Sequence, residues 1–193
     1  MAPEIVVTEV ALLSGNEQIL PGIHVRDFWA WALGDLRLNA NRGLLAQFLV
    51  AKALGDCRER DDGWGNFDVL TPEGIKVEVK ASGYLQSWQQ SGLSKIVFTG
   101  LKARSWDAGT GYGPKAEFRA DVYVFAVHTC QDHSIYDPLE LAAWEFYVLP
   151  AAIMKTLDQK SIRLTRLQSL ASSTTNWSGL RRAVLDAVED GRT

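Results

Sequence analysis

The sequence has few cysteines, no long apolar run and no basic leader. Of 193 residues, 2 are cysteines, and Cys57 and Cys130 show no CxxC spacing. This usage excludes a disulfide framework and indicates a reducing compartment. No stretch approaches the roughly 20 apolar residues of a membrane span. The segment before Ala11–Leu13 lacks the basic region of a signal peptide. We therefore expect a cytoplasmic protein without membrane contact.

The sequence also lacks an excess of positive charge, since its formal net charge is -3. Basic residues are nevertheless concentrated in one part of the chain. Residues 1–23 contain three Glu and no Lys or Arg, whereas residues 151–182 contain six basic residues and one acidic residue, Asp158. This asymmetry predicts a surface that faces a polyanion. A solvated helix face explains it equally well, so both interpretations stay open.

The length favours one domain, residues 1–193. Within it we expect a core at about 41–128, an N-terminal helical extension at 1–40 and a basic C-terminal extension at 150–193. Apolar periodicity predicts an α/β fold with a mixed central sheet flanked by helices. The predicted helices are 24–36, 41–54, 151–157 and 177–188. The predicted strands are 67–71, 75–81, 96–99, 122–128, 146–149 and 162–167, with a long polar loop at 101–120.

The segment from Asn66 to Lys80 carries the strongest local pattern. Pro72 suits the first central position of a type I turn, and Gly74 suits the left-handed position that follows. The resulting hairpin pairs Thr71 with Ile75 and therefore places Asp68 opposite Glu78.

Side-chain alternation then separates the hairpin into two faces. Like charges directly across two strands destabilise a sheet, and a divalent cation between Asp68 and Glu78 would remove that penalty. Lys80 shares the face of Glu78. The apolar face is predicted to hold Phe67, Val69, Ile75, Val77 and Val79, and the polar face Asn66, Asp68, Lys76, Glu78 and Lys80.

Asp68 followed by Glu78-Val79-Lys80 on the next strand resembles the (P)D…(D/E)xK signature of the PD-(D/E)XK, or restriction-endonuclease-like, superfamily. The helix that begins near Asn41 resembles the first core helix of that fold. Many members carry a metal-binding Glu on this helix, and the matching position here is Gln47. A neutral amide is a weaker metal ligand than a carboxylate.

The resemblance implies a restriction-endonuclease-like core and hydrolysis of DNA phosphodiester bonds with Mg²⁺ or Mn²⁺. It assigns the metal to Asp68, Glu78 and Val79, the orientation of water to Lys80, and an auxiliary role to Gln47. It also makes Gln86 a candidate for orienting substrate. Basic residues of the predicted loop and of the C-terminal segment are candidate DNA contacts: Lys102, Arg104, Arg181 and Arg182.

Two other functions remain open from the sequence. The first is a catalytically silent nucleic-acid-binding or assembly module on the same fold. The second is an unrelated α/β interaction protein in which the Glu78–Lys80 pair is incidental. If the chain is a nuclease that cuts both strands of a duplex, we expect a homodimer with two-fold symmetry.

Overall fold

The computed structural model describes residues 11–56, 58, 65–107, 109–171 and 174–191. Cys57 lies outside them. The chain divides into two compact units, Met1–Asp35 and Leu36–Thr193. The first contains a short hairpin followed by a helix, and the second contains the main sheet. No helix in the described part of the chain is long and apolar enough to cross a membrane.

The described part of the chain begins with two short strands and two α-helices, continues with seven strands, and ends with three α-helices that alternate with two strands. The strands are β1 (Gln18–Leu20), β2 (Ile23–His24), β3 (Val69–Leu70), β4 (Lys76–Gly83), β5 (Val97–Thr99), β6 (Ala103–Asp107), β7 (Gly111–Glu117), β8 (Val122–His128), β9 (Trp144–Pro150), β10 (Ser161–Arg163) and β11 (Thr174–Thr175). The α-helices are α1 (Val25–Leu33), α2 (Asn39–Leu54), α3 (Ala151–Leu157), α4 (Leu164–Leu170) and α5 (Leu180–Asp190).

The main sheet has five strands in the order β11-β9-β8-β4-β3. Strands β4 and β8 are parallel, and the other neighbouring pairs are antiparallel. A parallel pair requires a crossover connection, and here the chain between β4 and β8 contains β5, β6 and β7. The predicted mixed α/β sheet is therefore confirmed. Strand β3 is short and lies at the edge.

Both faces of the sheet are covered, as expected from the apolar run of β8, in which every residue is buried. On one face, helices α2 and α5 pack through Ala46, Val50 and Val184 onto Val77 and Val124. On the other face, β5, β10, α3 and α4 cover Tyr123, Phe125 and Tyr147. The hairpin β3–β4 thus lies between two apolar layers and is exposed at one edge.

The turn between β3 and β4 forms as its sequence predicts. Gly74 N donates to Thr71 O at 2.9 Å, and Thr71 N donates to Ile75 O at 3.0 Å. Gly74 has a φ of 81°, in the left-handed region that glycine adopts without steric cost. The buried Thr71 side chain also accepts a hydrogen bond from Ile75 N at 3.2 Å. This closed loop fixes the register of the hairpin.

The predicted register is confirmed for Val69–Val77 and Leu70–Lys76 and stops there. Asp68 N donates to Val77 O at 3.0 Å. Val69 is already the partner of Val77, so Asp68 and Val69 both face Val77. Two residues opposite one residue of the partner strand form a β-bulge. Asp68 is consequently not paired with Glu78 across the ladder, although an uninterrupted hairpin would pair them.

The bulge also changes the face on which Phe67 lies. The alternation predicted that Phe67 shares the layer of Val69 and Val77. Phe67 instead packs against the opposite layer, the one that contains Tyr123 and Phe125. The prediction was wrong because one extra residue in a strand reverses the alternation of every residue before it.

Two further predictions differ from the structure. The segment 101–120, expected to be a loop, contains the antiparallel hairpin β6–β7, whose glycines and polar residues resemble loop composition. The segment 162–167, expected to be a strand, is extended only to Arg163 and becomes helix α4 at Leu164. Its three apolar residues, Ile162, Leu164 and Leu167, fit both structures.

The turn provides a test of the hairpin. Gly74→Ala should destabilise the protein by about 1 kcal/mol, because a Cβ raises the energy of the left-handed conformation. A Cβ at Gly74 meets no atom within 4 Å, so backbone strain is the whole effect. The free energy of unfolding in urea measures it.

Gly43→Ala is the matched control, since Gly43 lies inside α2 and a Cβ there also meets nothing within 4 Å. It should stabilise the protein by about 0.5–1 kcal/mol, because alanine favours helix. Equal stability of the Gly74 variant and wild type would contradict the turn described here.

Candidate functional site

Two donors from the described part of the chain hold the carboxylate of Asp68 at the open end of β3. Val79 N donates to Oδ2 at 2.7 Å, and Gln47 Nε2 donates to Oδ1 at 2.8 Å. The first bond replaces the carbonyl that a longer β3 would have offered to β4. Asp68 therefore lies against the peptide bond that joins Glu78 to Val79, next to the predicted acidic partner.

Gln47 reaches Asp68 because of its place on α2. Ala46 and Val50 of this helix are fully buried against the sheet, while Gln47 is half-buried beside them. The side chain therefore lies at the margin of the layer, where the edge strand ends. Gln47, predicted as an auxiliary residue of the site, thus lies beside Asp68 and acts as a hydrogen-bond donor to its carboxylate.

Glu78 and Lys80 lie on the face of β4 opposite to Val77 and Val79, where they form an ion pair. Lys80 Nζ is 2.6 Å from Glu78 Oε1, and the two side chains are 24% and 15% exposed. In the parallel ladder, Glu78 pairs with Tyr123 and Lys80 with Phe125. Burial, and then the nearby Glu78 carboxylate, raise the pKa of Tyr123 to about 12. The Glu78 carboxylate thus lies at the edge of an apolar layer, with one matched cation.

An Asp-x-Arg pair that the sequence analysis missed supports the free edge of β3. Arg58 Nη2 is 2.7 Å from Asp56 Oδ2 and also donates to Asp68 O. Leu70 N donates to Asp56 Oδ2 at 3.2 Å. An edge strand leaves every second N–H and C=O unpaired, and these two side chains satisfy such groups on both sides of Val69. No spacing rule marks Asp56 and Arg58 in the sequence, since their partners are main-chain atoms.

Ionisation of Asp56 is set by the same contacts. Its burial opposes the charged form, but hydrogen bonds from the Arg58 side chain, from Arg58 N and from Leu70 N outweigh burial and lower its pKa. The charged carboxylate is therefore part of the folded structure around Asp68.

The other predicted site residues lie apart from this cluster or have structural partners. Gln86 is 5% exposed, and its Nε2 donates to Gly83 O at 3.0 Å. Lys102 pairs with Asp158 at 2.5 Å. Arg104 lies in β6 and is exposed. The two arginines of α5 are also partnered: Arg181 bonds Leu54 O and Glu73, and Arg182 pairs with Asp186 at 2.9 Å.

The oxygen atoms near β4 are hard donors of the kind that Mg²⁺ and Mn²⁺ take. Across the described ranges, no group of three or more His, Cys, Asp or Glu side chains is placed to hold a metal. The two carboxylates predicted to bind the metal already have partners, Asp68 in Gln47 and Val79 N and Glu78 in Lys80. In a β-strand the N–H and C=O of one residue point to the same neighbour, so the Val79 carbonyl faces the side of Asp68. An ion held by these oxygens would have to complete its shell with water and substrate oxygens.

The chain matches no protein-family model, and no curated protein sequence matches it.

The Asp56–Arg58 pair gives a pH-dependent prediction. Asp56→Asn should cost about 2 kcal/mol at pH 7, because it removes a charged hydrogen-bond acceptor of an arginine and of a main-chain N–H. A lowered pKa means that the stabilisation is present above the unfolded pKa of about 4 and is lost as the pH falls through the folded pKa. The difference between variant and wild type in urea should therefore shrink below about pH 4.

Asp158→Asn is the control, because this carboxylate also pairs with a cation but is 77% exposed. It should change stability by less than about 1 kcal/mol. If Asp56→Asn cost no more than Asp158→Asn, the support of the edge strand would have to come from other groups.

Proposed function

We propose that the protein is a metal-dependent endonuclease that hydrolyses DNA phosphodiester bonds at the β3–β4 hairpin. The observation that carries the proposal is the hydrogen bond from Val79 N to the Asp68 carboxylate at 2.7 Å. It brings Asp68 against the Glu78-Val79-Lys80 strand, although the β3–β4 ladder ends at the Val69–Val77 pair. The contact supports the arrangement that the resemblance to the PD-(D/E)XK superfamily implies.

Asp68, Glu78 and the carbonyl of Val79 would hold Mg²⁺ or Mn²⁺. When bound, such an ion polarises a phosphate oxygen and makes water more acidic. Gln47 and Val79 N fix the Asp68 carboxylate, so this ligand does not have to be ordered when substrate arrives. The amide of Gln47 contributes orientation without adding charge.

Lys80 has two roles in this proposal. In the free protein its ammonium neutralises Glu78 at 2.6 Å, which avoids repulsion between the two acids. When a phosphate enters, the same ammonium lies beside it, where it stabilises the negative charge that develops during hydrolysis or orients the attacking water. The Tyr123 hydroxyl group stays protonated near Glu78, since its pKa is about 12, and adds no competing charge.

A second candidate function, a catalytically silent DNA-binding or assembly module, is favoured by one observation. Gln47 supplies a neutral amide where many nucleases of the superfamily carry Glu, and this amide is a donor to Asp68. A site with one acid fewer binds a divalent cation more weakly. DNA binding without any cleavage in Mn²⁺ would select this function.

Nicking of supercoiled plasmid DNA in Mn²⁺ tests the first function. Glu78→Gln and Lys80→Ala should each reduce nicking at least about 100-fold, the usual effect of removing one group that stabilises the transition state. Both variants should bind DNA within a few-fold of wild type, because the residues act at a single phosphate.

Glu117→Gln serves as the control, since Glu117 is also a β-strand glutamate paired with a cation, Arg119, but lies in β7. It should nick as wild type does. Nicking by the Glu78 and Lys80 variants at the wild-type rate, from preparations free of other nucleases, would refute the proposed site.

A further inference from the structure

Two cations contact one aromatic ring beside Asp68. Arg58 Cζ is 5.6 Å from the centre of the Phe67 ring, and Lys76 Nζ is 5.8 Å from it. Phe67 is half-buried and packs against the layer that contains Tyr123. The ring is therefore held from one side by the core while the two cations contact it near the surface.

The two cations differ in their other contacts. Arg58 is paired with Asp56 and bonds Asp68 O. Lys76 is exposed, and no ion pair to its ammonium occurs among the residues that the structure describes. The nearby Asp121 carboxylate accepts a hydrogen bond from Lys76 N at 2.9 Å, so it is bound to the main chain of Lys76. Among the residues that the structure describes, the Lys76 ammonium thus has no acidic partner, and it lies near a ring that the core holds.

Lys76 also lies in line with the candidate catalytic residues. Lys76, Glu78 and Lys80 are alternate residues of β4, so their side chains leave the same face about 7 Å apart. A nucleic-acid strand whose phosphate lies at Glu78 and Lys80 therefore places a neighbouring phosphate near Lys76.

From these contacts we infer that Lys76, supported by Phe67, is a phosphate-binding subsite for the nucleic-acid strand held at the hairpin. Its role in cleavage rests on the proposed function. The ligand is a backbone phosphate and not a base, because the Phe67 ring that would stack on a base is occupied by two cations and by the core. Phosphate contacts position a strand without reading its sequence, so the subsite sets register and affinity.

Binding of a fluorescently labelled 30-base-pair duplex, measured by anisotropy in EDTA at several salt concentrations, tests the subsite without cleavage. One phosphate contact contributes a slope of about -0.9 to the log–log salt dependence. Lys76→Gln should therefore bind about five- to tenfold more weakly at 0.1 M salt and reduce the slope by about 0.9. Lys76→Arg, which keeps the charge, should retain the wild-type slope.

Lys52→Gln is the matched control. Lys52 Nζ also lies over an aromatic ring, 5.3 Å from the centre of Phe48, on a face of α2 turned away from Gln47. It should bind duplex as wild type does. Affinity and slope unchanged in Lys76→Gln, or no duplex binding by wild type, would overturn the subsite.

The outcomes separate this inference from the nuclease itself. If wild type nicks plasmid and Lys76→Gln binds duplex as wild type does, the proposed nuclease stands and the subsite is refuted. If duplex binding depends on Lys76 but wild type does not nick plasmid in Mn²⁺, the subsite stands and the proposed nuclease is refuted.

Discussion

The site depends on the hydrogen bond between the main-chain N–H of Val79 and the carboxylate of Asp68. Strand β3 pairs with β4 over two residues, and beyond them the edge of β4 would have no partner for Val79 N. The Asp68 side chain takes that place and so continues the sheet with a carboxylate. The Asp68 carboxylate is thereby fixed against the strand that carries Glu78 and Lys80. The bulge at Asp68, the amide of Gln47 and the Asp56–Arg58 pair all act on this one contact.

The charged groups around the hairpin have different partners. Among the described residues, Gln47 and Val79 N donate to Asp68, and Glu78 has an ammonium partner in Lys80. A divalent cation held by Asp68 and Glu78 would release Lys80 from Glu78 for contact with substrate. Arg58 is already paired with a carboxylate and serves the framework. Arg58, which supports the hairpin, is therefore distinct from Lys80, the cation proposed to contact substrate.

Local patterns predicted the parts of the structure that local physics determines. Pro72 and Gly74 specified the turn and hence the Val69–Val77 register, and the apolar run of β8 specified a buried strand. The bulge at Asp68 escaped prediction because it depends on side chains from elsewhere, Gln47 and Arg58, which stabilise an irregular edge. The hairpin β6–β7 escaped because its strands bury little apolar surface and are rich in glycine and charge. The auxiliary role of Gln47 came from the resemblance alone, and its hydrogen bond to Asp68 could not be derived from spacing.

Thermal unfolding of wild type in Mn²⁺ and in EDTA is the most direct test of the Asp68–Glu78 site. A cation that binds the folded state alone stabilises it by about 2.7 kcal/mol at one hundred times its Kd. The account predicts that Mn²⁺ raises the melting temperature of wild type and of Glu117→Gln, and leaves that of Glu78→Gln unchanged. An equal rise in Glu78→Gln, or no rise in wild type at millimolar Mn²⁺, would contradict a metal site on this hairpin.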